Sequence, residues 1–204
     1  MPPRSTPRVQ ACRVIFVRHA IAQGNGQFHG QRDVPLAPNG RRQLPGLIRR
    51  LSSYSIAAVF SSDLSRARQT AEAVARKLDK HSENRRGLRE MRFGDWEGLS
   101  WKQILTRYPR LSHNWIKDFV RRPIPGAELF DSFVRRVRRE IRAIVRMSPN
   151  RCVLVVTHAG VIRVALATAL GMRLRHAFRI AVNPCSISVV DHFGTETVVR
   201  CING

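Results

Sequence analysis

The chain has 204 residues, 43% of them hydrophobic, and a formal net charge of +22. That length suits one α/β domain, and the apolar share supplies a sizeable core and excludes the disordered class. The most apolar stretch, residues 152–172, is broken by His158 and Arg163, which excludes a spanning helix of about 20 apolar residues.

The N-terminal ten residues are basic and lack the apolar run of a secretory signal. They read as a loose tail ahead of a single domain over 11–204. Residues 12–17 are a short β-branched, apolar run, which reads as a buried central strand. Leu44, Leu47, Ile48 and Leu51 then repeat at helical spacing, with Pro45 expected to kink the first turn or delay the start. A second strand is expected over 56–60. A helix follows it, with its stripe at Leu64, Ala67, Ala71, Val74, Ala75 and Leu78 and with Ser62 or Asp63 as N-cap.

Residues 98–108 suggest another helix, inside a section of about 91–128 expected to form a small helical insert or lid. The strongest stripe is Phe130, Phe133, Val134, Val137, Ile141, Ile144 and Val145. Its opposite face carries Arg135, Arg138, Arg139, Arg142 and Arg146. That face reads either as a solvated basic surface or as a polyanion-docking one. A third strand is expected over 152–156, a helix over 161–170, and closing strands over 186–191 and 196–201 with Gly194 in the turn. The alternation predicts a three-layer α/β/α sandwich, a mostly parallel central sheet with helices on both faces.

Cys12, Cys152, Cys185 and Cys201 form no Cys-x-x-Cys pair and sit in apolar surroundings. They read as buried free thiols in a reducing, cytoplasmic setting, with a zinc site or a disulfide as the alternative. Of 36 basic residues only Lys77, Lys80, Lys102 and Lys117 are lysines. Such a charge attracts phosphorylated substrates, nucleic acid or anionic membranes. GC-rich coding accounts for arginine over lysine but not for so few acidic residues.

Chemistry concentrates at strand ends. Arg18-His19 follows the first strand and His158 follows the third, and ligands of open α/β sheets bind beyond the carboxyl ends of the strands. Two histidines at equivalent strand ends can face each other across a crevice. Arg66, near the start of the second helix, is either an exposed helical arginine or an anion receptor acting with the helix N-terminus.

At these residues the chain resembles the histidine phosphatase superfamily, also called phosphoglycerate mutase-like. Val-Ile-Phe-Val-Arg-His-Ala, residues 14–20, is similar to its Arg-His-Gly signature. Further ordered matches are residues 33–43 (D-x-P-L-T-x-x-G-x-x-Q), 61–71 (S-S-x-L-x-R-A-x-Q-T-A), 88–98 (L-x-E-x-x-F-G-x-W-E-G), 125–128 (P-G-G-E) and 157–163 (T-H-G-G-x-I-R). The resemblance implies His19 as nucleophile, and Arg18, Asn25, Arg66 and His158 as holders of the phosphoryl oxygens. It implies Glu90 as general acid and base. Glu97 rivals Glu90, and Arg68 rivals Arg66. No cofactor or metal is expected, because arginine and histidine supply the positive charge.

Ala20, Ala159 and Ala22 depart from the family pattern, and Ala22 removes one expected hydroxyl contact. Ile21 stands where mutases commonly have Glu, and 67 residues separate Glu90 from His158. Both features point to the compact phosphatase branch, which includes α-ribazole and broad-specificity phosphatases. The expected activity is hydrolysis of a small phosphomonoester through a phosphohistidine. The alternatives are a mutase or a non-catalytic relative that binds nucleic acid or another polyanion. Arg32, Arg92 and Arg121 are candidates for a second acidic group on the substrate.

Overall fold

The computed structural model describes residues 11–121 and 123–204; the expected loose tail, 1–10, lies outside them. Six strands form one mixed sheet. They are β1 (Cys12–Arg18), β2 (Ile56–Ser61), β3 (Ser82–Asn84), β4 (Cys152–Thr157), β5 (Ile187–Phe193) and β6 (Glu196–Cys201), in the order β3-β2-β4-β1-β5-β6. β3-β2, β2-β4 and β4-β1 pair in parallel, and β5 and β6 close the sheet antiparallel. Strand β3 is absent from the sequence reading because Ser-Glu-Asn carries no apolar pattern. It forms because β2 offers it a parallel edge.

Alternation along the strands splits the core in two. Val14, Phe16, Val153 and Val155 face one side, where they pack against α5 (Phe130–Met147) and α6 (Ala159–Ala169). Ile15, Val17, Leu154 and Val156 face the other, against α1 (Pro38–Leu51) and α2 (Ser65–Lys77). Period-two strands buried on both faces must be apolar at every position, which is why β1 and β4 read as continuous runs.

Three helix expectations need correction. α1 begins at Pro38, six residues before the stripe, and runs through Pro45 without ending. Pro38 at the first helical position loses no hydrogen bond and presets φ. Pro45 costs one internal bond, which the burial of Leu47 and Leu51 offsets. α2 begins at Ser65, and neither Ser62 nor Asp63 is its N-cap. Asp33, from a distant loop, takes that part: its carboxylate accepts from Ser65 N at 2.6 Å and Ser65 Oγ at 2.8 Å. The expected helix at 98–108 is shorter, α3 (Trp101–Arg107), and is capped by a reciprocal Ser100–Gln103 box. It is followed by an unforeseen α4 (Pro109–Lys117).

α3 and α4 form a satellite cluster around Trp96, Ile104 and Ile124, with Phe28, Trp101 and Trp115 packed against it. The cysteines are free; Cys12 and Cys185 are buried, whereas Cys152 and Cys201 are only half-buried. Among the described residues no helix is long and apolar enough to cross a membrane.

Candidate active site

The parallel pairing of β1 with β4 sets Arg18 opposite Thr157. His19 and His158 therefore leave adjacent strand ends side by side. His19 N donates to Thr157 O at 2.9 Å, and the two imidazoles lie edge to face with centroids 5.1 Å apart. Both rings are buried. Burial and the guanidinium groups of Arg66 and Arg18 hold both well below the usual imidazole pKa, so both are neutral at pH 7.

Hydrogen bonding sets the tautomers. His19 Nδ1 lies 2.7 Å from Ala20 O, an acceptor only, so Nδ1 carries the proton and Nε2 keeps its lone pair. His158 Nε2 lies 2.9 Å from Ser62 Oγ, which itself accepts from Leu64 N. With the hydroxyl proton directed to Nε2, Nδ1 is the protonated nitrogen of His158. That atom is buried and has no partner among the described residues.

The two arginines are held by backbone carbonyls. Arg18 Nη1 donates to Val182 O at 2.7 Å. Arg66 is 1% exposed, and its Nη1 and Nη2 donate to Arg32 O and Gly30 O at 2.9 and 2.7 Å. Desolvation lowers the pKa of both, that of Arg66 to about 10, which leaves them cationic at neutral pH. The Nε atoms of Arg18 and Arg66 are buried without a partner among the described residues. The first backbone N–H of α2, at Ser65, is occupied by Asp33, and Arg66 lines the pocket with its guanidinium. Arg68 is exposed.

Glu90 sits across the pocket. Its Oε1 accepts from Met91 N at 2.9 Å and its Oε2 from Gly160 N at 3.0 Å, in the first turn of α6. A Cβ at residue 160 would collide with the Glu90 carboxylate, so this approach requires the glycine of Thr-His-Ala-Gly. Glu97, the rival, is engaged elsewhere: its Oε1 accepts from Gln31 N at 2.8 Å and Phe93 N at 3.0 Å. Arg136 braces the loop below Glu90. It donates to Gly87 O and Arg89 O at 3.0 and 2.8 Å, and it forms a bidentate pair with Glu128. The Pro-Gly-Ala-Glu segment thus reaches the site through Arg136, which the helical-face reading did not single out.

A pocket of about 430 Å³ opens here, lined by Arg18, His19, Asn25, Arg66 and Glu90 among others. Asn25 lies on its exposed rim. Arg32, Arg92 and Arg121 do not line it. Two basic residues that do had been given no role in the site from the sequence. His29 is pushed down to about 4 by burial and by Arg66, Arg32 and Arg18, and its Nδ1 is buried without a partner among the described residues. Arg163 lies over the Phe178 ring at 5.0 Å and donates to Ile180 O at 3.0 Å. A histidine in a polar loop carries no periodic signal, so His29 becomes visible only when the chain returns it to Arg66. Phe28, Phe93, Phe178 and Pro184 make the outer wall apolar.

The chain is 33% identical over 204 residues to a bifunctional protein of Mycobacterium tuberculosis, covering 98% of this chain but 55% of that protein. It is 28% identical to the adenosylcobalamin/alpha-ribazole phosphatase of Escherichia coli, covering 94% and 95% of the two chains. The crystal structure of a mycobacterial glucosyl-3-phosphoglycerate phosphatase superimposes with a TM-score of 0.84 at 25% identity, covering 95% and 99%. Residues 14–204 match the sequence profile of the histidine phosphatase superfamily, branch 1, and the chain belongs to that family.

Proposed function

We propose that this chain is a phosphatase that hydrolyses a small phosphomonoester through a phosphohistidine on His19. The observation that carries this reading is the set of orphaned nitrogens. Arg18 Nε, Arg66 Nε, His29 Nδ1 and His158 Nδ1 are buried without partners among the described residues, and all belong to the pocket or to its neighbouring imidazole. Buried donors in native proteins are almost always satisfied. A phosphoryl dianion offers several acceptor oxygens to such a set, and Asn25 reaches it from the rim.

His19 Nε2 attacks phosphorus in line, forming the P–N bond as the P–O bond to the leaving group breaks. Glu90, carrying a proton at that stage, gives it to the leaving oxygen, and the alcohol departs. As carboxylate, Glu90 then takes a proton from water, whose oxygen attacks phosphorus and releases inorganic phosphate and free His19. The guanidiniums and His158 stabilise charge on the equatorial oxygens. The apolar outer wall receives the organic part of the substrate. The open rim at Asn25 and Gly26 admits water, which favours hydrolysis over the protected phosphohistidine of a mutase.

The test is turnover of p-nitrophenyl phosphate with a chelator present. His19→Ala is expected to lower kcat by about 10³-fold or more. Glu90→Gln is expected to lower turnover while still allowing acid-labile ³²P to be trapped on the protein. Activity surviving in the His19→Ala protein would refute the nucleophile.

A further inference from the structure

The exposed face of α5 has no part in this chemistry. Its buried stripe, Phe130, Phe133, Val134, Val137, Ile141 and Ile144, packs into the core, and Arg135, Arg138, Arg139, Arg142 and Arg146 stand on the far side. Four of the five are exposed, and Arg138 is half-exposed. None of them forms an ion pair with a carboxylate among the described residues. The acidic residues of the same helix lie elsewhere. Glu140 approaches Arg85, and Asp131 occupies the first turn. A shallow groove of about 320 Å³ is lined by these five arginines and nothing else.

We propose that this ridge docks the phosphodiester backbone of duplex nucleic acid without reading its sequence. At 1.5 Å per residue the ridge spans about 16 Å. A duplex presents one charge per roughly 1.7 Å of axis with both strands counted, so about nine phosphates fall within that length, of which those on the near side can meet the ridge. Guanidinium groups bind phosphate in a bidentate manner, which suits a straight row of arginines better than one of lysines. The absence of aromatic side chains from the groove lining argues against a single strand, whose bases need a stacking platform. The absence of apolar side chains there argues against a membrane surface, where an interfacial helix buries an apolar face. Among the described residues, Arg135 and Arg138 donate only to Ser132 Oγ and Thr168 Oγ1, weak neutral acceptors that a phosphate displaces.

The experiment compares two proteins with the same net charge. One carries Arg139→Gln, Arg142→Gln and Arg146→Gln. The other carries Arg41→Gln, Arg42→Gln and Arg49→Gln on α1, across the sheet. Fluorescence anisotropy of a labelled short DNA duplex is followed against salt, with thermal midpoints confirming that both proteins are folded. The parent should bind with a steep salt dependence. The α5 variant should lose about 2–3 from the slope of log K against log salt, near 0.9 for each phosphate contact removed, and the α1 variant should keep the parent slope. Equal losses in the two variants would show diffuse charge and overturn the proposal. So would tighter binding of a single strand of the same length. Retention by phosphatidylserine vesicles through the same three arginines, without duplex binding, would overturn it in favour of a membrane.

Discussion

Two arginine-rich regions of this molecule behave in opposite ways. At the strand ends Arg18 and Arg66 are desolvated, tied to carbonyls and left with unpaired Nε atoms. Along the outer face of α5 four of five arginines stand exposed, and two of the five make only loose contacts with hydroxyl groups among the described residues. The same side chain is therefore a fixed electrostatic element in one place and a mobile counter-charge in the other. Burial strengthens each interaction by lowering the local dielectric and makes each lost partner costly. Exposure leaves only screened, additive attraction.

The sharpest way to break this contrast is to cut one arginine from each region. Arg66→Ala is expected to lower kcat/KM by about 10³-fold, because a preorganised cation in a water-poor site carries much of the transition-state stabilisation. Arg142→Gln should leave it within about twofold. Comparable losses from the two would erase the distinction between cage and ridge.

A finer comparison lies within α5 itself. Arg136 and Arg135 are neighbours in sequence, but Arg136 holds Glu128 and two carbonyls in a half-buried cluster. Arg136→Met should destabilise the fold by about 3 kcal/mol by leaving Glu128 unpaired, and should lower kcat by loosening the loop that carries Glu90. Arg135→Met should change stability by less than about 0.5 kcal/mol. Urea midpoints together with kcat decide the matter.

The smallest expected effect concerns protons. His19 and His158 are held well below 6.5 in the fold, and His29 is held at about 4. Unfolding frees them to take up protons near pH 6.5, so the unfolded chain gains stability relative to the fold as pH drops. Native stability from these groups is complete above pH 6.5 and declines as pH falls below it, for His29 down to about 4. His29→Gln should flatten the urea midpoint against pH in that window, whereas Arg139→Gln should leave the curve in place. An unaltered curve with His29→Gln would mean that His29 binds its proton equally well in the fold and in the unfolded chain.

Much of the site could be read before folding was considered. Arg18-His19 and His158 were placed by two apolar runs that end in polar residues, because a strand buried on both faces must stop where its side chains turn polar. Arg66 and Glu90 came from ordered motif matches, and Asn25 from its place after the Arg-His signature. Arg163 lay inside a matched motif without an assigned role, and His29 and Arg136 carried no signal, since each acts through partners distant along the chain: Arg66 for His29, Ile180 for Arg163, and the carbonyls of residues 87 and 89 for Arg136.

The amino-acid order alone determined the layered α/β architecture, the core stripes and the positions of the two histidines, because period and polarity are local properties. Only the tertiary structure decided that Asp33 caps α2, that Ser-Glu-Asn becomes a strand, and that His29 returns to Arg66. Those outcomes depend on which unsatisfied donor, open edge or free amide another part of the chain brings within hydrogen-bond reach, and no local pattern encodes that.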